Sequence, residues 1–337
     1  MGLADLRKDA AFAAGLLKQK PFQCLVQLTN RCNMRCSFCD FWPNGAPRRE
    51  ELTAAEYRRV SDELATLGTC IISVEGGEPY VRPDLPEIIE SFGRHHLPTL
   101  FTNGWYVTRD NARDLFDRGL THACVSIDFP DARRHDAKRG LDGAFDRALR
   151  ALDHFLAAAP RPHRQVHVMS VIMEENWQEF DQLFELSRRL GVGHQVTLLS
   201  VTGYRRGKGD GMPPPEAAGR LEALWGAHPH VRFFGDYFRK MGSFLRGEPL
   251  PTCHAGEQSF NIDHVGNVSP CIEKIDLSLG NVRREPLPVI LRRVREHQAT
   301  ISSCQKCWTA CRGLSQALGQ GGSGGAWVDL VTRMRSS

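Results

Sequence analysis

From residue 22 to about residue 200, apolar runs of strand length alternate strictly with helical patterns. Residues 22–28, 70–74, 98–101, 122–127, 166–172 and 194–199 read as six strands. Between them, Thr53-Ala54-Ala55-Glu56 opens a helix with a capping box. Residues 84–93 form a second helix with Pro86 in its first turn, and Thr108 caps a third that runs to about Asp117. Residues 142–158 and 177–190 carry two more helical patterns. Alternation of this kind forces a parallel sheet with right-handed crossovers. The expected fold class is therefore α/β. Six units make an open or partial (β/α)6 barrel, with functional groups at the C-terminal ends of the strands.

After Ser200 the pattern breaks. Residues 203–215 are rich in Gly, Pro and charge and read as a linker, followed by a helix near 216–226 and a short strand over 230–234. The expected divisions are an N-terminal helix (1–21), the barrel core (22–200), a connecting segment (201–252), a small cysteine-bearing β-hairpin and helix domain (253–318) and a flexible Gly-rich tail (319–337). No internal repeat is visible. A length of 337 residues suits one large domain, or one domain with an appendage.

Composition narrows the function classes. The net charge is +4, and basic residues are spread along the chain in small clusters such as Arg133-Arg134. A nucleic-acid partner requires a concentrated basic stripe, so none is expected. No apolar stretch reaches the ~18 residues of a membrane span. Residues 3–18 form an amphipathic helix with acidic residues rather than a signal peptide, which points to the cytoplasm. Eleven cysteines in that compartment are thiols, metal ligands or cluster ligands, not disulfides.

Three of them follow the first strand as Cys32, Cys36 and Cys39, spaced C-x3-C-x2-C. Three thiolates on one tight loop can hold three corners of a cubane iron–sulfur cluster and leave the fourth iron open to a ligand. A zinc knuckle or buried small hydrophobes are the plainer alternatives, although zinc sites usually pair two C-x2-C knuckles or add nearby His. Cys24, Cys70 and Cys124 lie in or beside apolar strands and read as core. Toward the C-terminus, Cys253 and Cys271 bracket a hairpin with Gly266 at its centre, and Cys304-x2-Cys307-x3-Cys311 follows. A hairpin cysteine pair with a C-x2-C is also a zinc-ribbon shape. His254 and His264 lack metal-ligand spacing to a partner His and read as structural.

The C-x3-C-x2-C loop, with aromatic Phe38 before its last Cys, resembles the radical SAM enzymes. The second strand ends in Glu75-Gly76-Gly77-Glu78-Pro79, which is similar to that family's GGEP motif. The resemblance implies that Cys32, Cys36 and Cys39 hold a [4Fe–4S] cluster whose open iron chelates S-adenosylmethionine (SAM). It also implies that the backbone of Gly76 and Gly77 meets the methionyl amino group. Thr102, Asn103, Ser126, Asp128 and Asn176 fall where family members line the SAM cleft. As plain strand-end residues they would serve capping or turns. Residues 195–198 resemble the apolar strand that packs the adenine.

The C-terminal cysteines resemble the auxiliary-cluster extensions called SPASM and twitch. A full SPASM pattern has seven cysteines, and this chain has five. The shorter, single-cluster arrangement implies a second [4Fe–4S] cluster on Cys253, Cys271, Cys304 and Cys307. Cys311 would replace one of them, remain a spare thiol, or lie near substrate. The implied activity is reductive cleavage of SAM to a 5′-deoxyadenosyl radical and hydrogen abstraction from substrate. An oxidative modification of a ribosomally made peptide is expected ahead of a small-molecule dehydrogenation, and a non-catalytic iron–sulfur or zinc protein stands behind both. Flavodoxin or ferredoxin is the expected reductant. About twenty residues precede the first strand, so a separate leader-binding protein is expected, or a small substrate. Glu75, Asp128 and Glu174 are acidic residues near strand ends, and none of them identifies itself as the catalytic base.

Overall fold

Each of the six apolar runs forms a strand: β1 Gln23–Thr29, β2 Ile71–Gly76, β3 Leu97–Thr102, β4 His122–Ser126, β5 Gln165–Ile172 and β6 Gly193–Leu198. The computed structural model describes residues 3–17, 20–159, 165–203, 211–319 and Asp329. The helices are α1 Leu3–Leu17, before the first strand, and then α2 Ala54–Ala65, α3 Leu85–Gly93, α4 Arg109–Asp117, α5 Ala132–Arg139, α6 Ala144–Ala158 and α7 Phe180–Arg189, all but α5 at expected places. Neighbouring strands from β1 to β6 all pair in parallel. Helices α2, α3, α4, α6 and α7 bury one face each against the sheet, through residues such as Val60, Phe92, Phe116, Phe155 and Phe184. Burying a side chain of this size stabilises the fold by roughly 1.5–3 kcal/mol. Cys24, Cys70 and Cys124 are fully buried in this core.

The capping box at α2 forms as its spacing requires. Thr53 accepts from Glu56 N, while the Glu56 carboxylate accepts from Thr53 N at 2.7 Å. Helix α5 was not expected. Asp131 caps it by accepting from Arg134 N, and Gly140 ends it in the left-handed conformation. The expected helix over 177–190 divides into a single 3-10 turn, Trp177–Glu179, and α7.

After the barrel come α8 Glu216–Ala227 and α9 Gly235–Leu245. The strand expected over 230–234 is reduced to one bridge, His194 to Val231. The reason lies in the side chains. Phe233 and Phe234 are both buried, so the segment does not alternate, and α9 begins at the next residue.

The cysteine-bearing segment contains β7 Ser259–Ile262, β8 Asn267–Ser269, β9 Gly280–Asn281, α10 Leu287–Glu296, α11 Gln298–Ser302 and α12 Ala310–Leu318. Its hairpin is joined to the barrel: β7 pairs in parallel with β1, from Gln23–Ser259 to Val26–Ile262. One nine-stranded sheet results, in the order β6-β5-β4-β3-β2-β1-β7-β8-β9. Arg283 fastens the hairpin side to α2 by donating to both Glu56 carboxylate oxygens and to the carbonyls of Glu50 and Glu51. The expected Gly-rich tail lies outside the described residues apart from Gly319 and Asp329, as does the middle of the 203–215 linker.

Candidate functional site

The loop after β1 carries Cys32, Cys36 and Cys39. Its shape is held by backbone bonds from elsewhere in the barrel. Arg35 N and Ser37 N donate to the carbonyls of Arg139 and Lys138 at the end of α5. Gly140 is required at this junction: it has φ +66°, and a Cβ there would lie 2.7 Å from Arg35 O. Within the loop, Met34 N donates to Cys32 Sγ at 3.4 Å and Cys39 N to Cys36 O at 3.2 Å. Burial lifts the Cys32 thiol to about 12 and raises Cys36, with the neighbouring thiols adding to both effects. Binding iron therefore has to expel these protons.

The Gly76-Gly77 pair presses against the start of this loop. Gly76 has φ +126°, and a Cβ on it would meet Thr29 O at 2.2 Å. One on Gly77 would meet Arg31 O at the same distance. Gly77 N and Glu78 N donate to Thr29 O and Arg31 O. The glycines thus weld the end of β2 to the cysteine loop. Buried Glu51 completes the weld. It accepts from Thr29 and from the Arg31 guanidinium at 2.8 Å, and it pairs with buried Arg82.

Glu78 is buried, and its carboxylate organises the end of β3. It accepts from Tyr80 N, Thr102 Oγ1 at 2.8 Å and Asn103 N at 2.8 Å. Burial pushes its pKa up to about 7, against these bonds. Pro79, also buried, starts the short 3-10 turn that follows. Asn103 reaches the cysteine loop, donating to Asn33 Oδ1 at 2.8 Å beside Cys32 Sγ at 3.9 Å. Ser126 closes β4, partly exposed.

Asp128 and Asn176 are fully buried. Asp128 accepts from Val171 N and pairs with Arg139 at 2.6 Å. Asn176 donates to the carbonyls of Asp128 and Val171 and accepts from Met173 N. Its amide is committed to joining the ends of β4 and β5. Glu75, paired with Gln27 in the β1–β2 ladder, lies close enough to Cys24 and Cys311 to raise both thiols.

A second thiol group lies on the β7 side. Cys253, Cys271, Cys304, Cys307 and Cys311 all line one cavity of about 620 Å³ counting its open mouth. Burial raises Cys253, Cys271 and Cys307, and lifts Cys311 to about 12. Glu273, in the same wall, accepts from Ser200 and Thr202 at 2.6 Å and so ties the loop after β6 to this cavity. His254 pairs with Glu257, and His264 is buried. Among the described residues no three His, Cys, Asp or Glu side chains converge on a single metal-ion position. A cubane needs no such convergence, because each thiolate takes a different iron. Two soft, proton-bearing thiol sets, one of three on a loop and one of five around a cavity, fit iron–sulfur chemistry.

Besides Arg82, sequence reading missed two buried arginines that lie beside the thiols. Arg139 lies beside Cys36, pairs with Asp128, and sits 5.3 Å over the Phe38 ring. Burial opposes its charge, yet Asp128 and the nearby thiols hold it above the ordinary arginine value. Arg312 donates to the carbonyls of Cys304 and Cys307. Arginines are mostly surface residues, so nothing in their spacing marks these two.

Comparison with known proteins gives this arrangement its class. Residues 26–187 match the model of the radical SAM superfamily, and residues 253–308 match SPASM, an iron–sulfur cluster-binding domain. The mycofactocin maturase MftC of Mycobacterium ulcerans is 30% identical over 310 residues, covering 86% of this chain and 82% of that protein. The AdoMet-dependent heme synthase of Nitratidesulfovibrio vulgaris is 28% identical over 291 residues, covering 79% and 77%. The fold is shared with anSMEcpe bound to AdoMet, at TM-score 0.65 and 16% identity over 87% of this chain and 89% of that one. It is shared also with Streptococcus suis SuiB bound to its precursor peptide SuiA, at TM-score 0.61 and 17% identity over 85% and 69%.

The chain belongs to the radical SAM superfamily, in the branch that carries a SPASM-type auxiliary iron–sulfur region. It is an enzyme whose cofactors are a SAM-binding [4Fe–4S] cluster, SAM itself and an auxiliary cluster.

Proposed function

We propose that this enzyme oxidatively modifies a ribosomally made peptide, with Cys32, Cys36 and Cys39 holding the SAM-binding cluster and Cys253, Cys271, Cys304 and Cys307 the auxiliary one. The observation that carries the radical chemistry is two separate thiol sets in one molecule, three on the loop after β1 and five around one cavity on the β7 side, with Glu75 near the Gly76-Gly77 turn and within electrostatic reach of Cys311. When bound, the first cluster and SAM supply the 5′-deoxyadenosyl radical that takes a hydrogen atom from substrate.

The chain's own residues do the rest. Gly76, Gly77 and Pro79 fix the turn that would meet the methionyl group of SAM. Thr102, Asn103 and Ser126 stand at the C-terminal ends of β3 and β4, where they would line the SAM site. Glu78, Asp128 and Asn176 hold those strand ends in place. Arg139 supplies a fixed positive charge beside the Cys36 thiolate. Cys311 is a spare thiol within electrostatic reach of Glu75, and Cys253, Cys271, Cys304 and Cys307 would hold the cluster that supplies a one-electron acceptor.

Peptide modification rests on the relatives: MftC is named a maturase, and SuiB is seen with its precursor peptide. The heme synthases favour a second reading, a small-molecule substrate of tetrapyrrole size. A flavodoxin or ferredoxin would deliver the electron in a reducing cytoplasm, and a separate protein would present the leader. No described helix is long and apolar enough to cross a membrane.

The test starts with the anaerobically reconstituted enzyme. Iron, sulfide and zinc are counted per chain, and 5′-deoxyadenosine formation is assayed under reductant. A short peptide encoded beside the enzyme's own gene is then offered, alongside an iron porphyrin precursor. Loss of a hydrogen pair from the peptide, read by mass spectrometry, is the expected result. Conversion of the porphyrin with the peptide untouched would sink the peptide reading and leave the radical chemistry standing.

A further inference from the structure

Arg312 stands in the wall of the auxiliary cavity together with the five C-terminal cysteines. The side chain is 4% exposed. Nη1 donates to the carbonyls of Cys304 at 3.0 Å and Cys307 at 3.1 Å, and Nη2 donates to Pro251 O at 2.7 Å. The guanidinium also lies 5.7 Å from the centre of the Trp308 ring. Three carbonyls and an aromatic face fix its plane.

One donor remains. Arg312 Nε is shut away from solvent and has no acceptor among the described residues. An unpaired buried donor is costly, and native structures rarely leave one. The plane is fixed, so the Nε–H cannot swing out to find water. An acceptor has to come to it, and the cavity it lines is surrounded by thiols.

We propose that Arg312 is a positioning residue for the auxiliary cluster: its Nη groups hold the Cys304–Cys307 knuckle open while its Nε–H donates to a sulfur of the bound cluster. The inference rests on the assignment of these cysteines as auxiliary-cluster ligands. A thiolate-ligated cubane is an anion in both oxidation states and gains one more negative charge on reduction. A fixed cation with an N–H···S bond stabilises the reduced form more, so it raises the cluster's potential. The first site differs. There Arg139 is paired with buried Asp128 at 2.6 Å, so a carboxylate offsets most of its charge. Arg312 spends its bonds on neutral carbonyls instead and keeps its charge for the cluster.

The test uses the full chain with Cys32→Ala, Cys36→Ala and Cys39→Ala, so that only the auxiliary cluster gives a paramagnetic signal. Arginine labelled with nitrogen-15 is incorporated, and the reduced cluster is examined by electron–nuclear double resonance. A nitrogen-15 coupling that disappears in Arg312→Lys is expected. In parallel, the midpoint potential should fall in Arg312→Lys and fall further in Arg312→Met, with iron and sulfide retained. Full cluster loading with no nitrogen-15 coupling overturns the inference and leaves the ligand assignment intact, as does an unmoved potential in loaded variants. If the variants lose their cluster, the coupling in the parent decides alone. A parent that binds no cluster once the first three cysteines are gone overturns the ligand assignment and this inference with it.

Discussion

Gly77 and Arg139 show how much of the first site depends on single side chains, or on the lack of one. A Cβ at position 77 would overlap Arg31 O at 2.2 Å, and the neighbour is backbone that cannot give way cheaply. Gly77→Ala should therefore push β2 off the cysteine loop. The expected outcome is loss of the SAM-binding cluster with the auxiliary one retained, read as a halved iron count and absent 5′-deoxyadenosine. Arg139→Met makes a different prediction. It leaves Asp128 buried and unpaired at 0% exposure. Breaking a buried pair from one side costs about 3–5 kcal/mol. Urea unfolding should show that loss, and Asp128→Asn in the same chain should recover most of it without recovering SAM cleavage. A double variant as unstable as the single one would show that the ion pair is not what Arg139 stabilises. The cysteines and the Gly76-Gly77 turn were legible because their partners lie close in sequence or in a recognisable motif. Arg139 was not, because it meets Cys36 from the far end of an unexpected helix.

At the level of elements, legibility followed locality. The α2 capping box needs only Thr53 and a Glu three residues on, and both bonds are present. Thr53→Ala should cost about 1 kcal/mol, measured as a shift in unfolding midpoint at constant slope. Glu56→Ala should cost more, because Glu56 also receives Arg283 and so carries the contact between α2 and the β9 side of the sheet. The Arg283 hydrogen bonds, followed by the Thr53 backbone bond, hold the Glu56 carboxyl down to about 2. If both substitutions cost the same, the Arg283 contact contributes nothing. The parallel pairing of β7 with β1 was not legible, since 259–262 alternates like any hairpin strand and nothing local names its neighbour. The 230–234 segment failed for a related reason. Its apolar run looks like a strand in isolation, but both phenylalanines are drawn inward by the core.

Across the whole molecule, buried histidines set the pH range in which the fold holds. His96 takes a bond from Cys70 N and meets Ser61 O, His135 takes one from Asp128 N, and His194 lies between the hydroxyls of Ser170 and Ser187. Burial first, then neighbouring positive groups, lowers their pKa values to about 4, about 4 and about 3. His167, stacked on His122, shifts the same way. In the unfolded chain each would take a proton below about 6.5. The unfolded state therefore binds more protons between about pH 6.5 and 4, and stability falls as pH falls through that window. Glu78 acts in the opposite direction. Burial raises it to about 7, so between about pH 4.5 and 7 the folded state holds a proton that the unfolded state has released. Four histidines against one carboxyl leave about three extra protons on the unfolded chain, or roughly 4 kcal/mol of stability lost per pH unit between pH 6 and 4.5. Urea midpoints at pH 7.5, 6 and 5 should fall steeply over the lower step and little over the upper one. His194→Asn keeps hydrogen-bonding capacity without a titrating ring, and it should flatten the lower step by about a third. An unchanged slope in that variant would mean that the acid sensitivity lies in the cysteine sites, where protons compete with iron, and not in the barrel core.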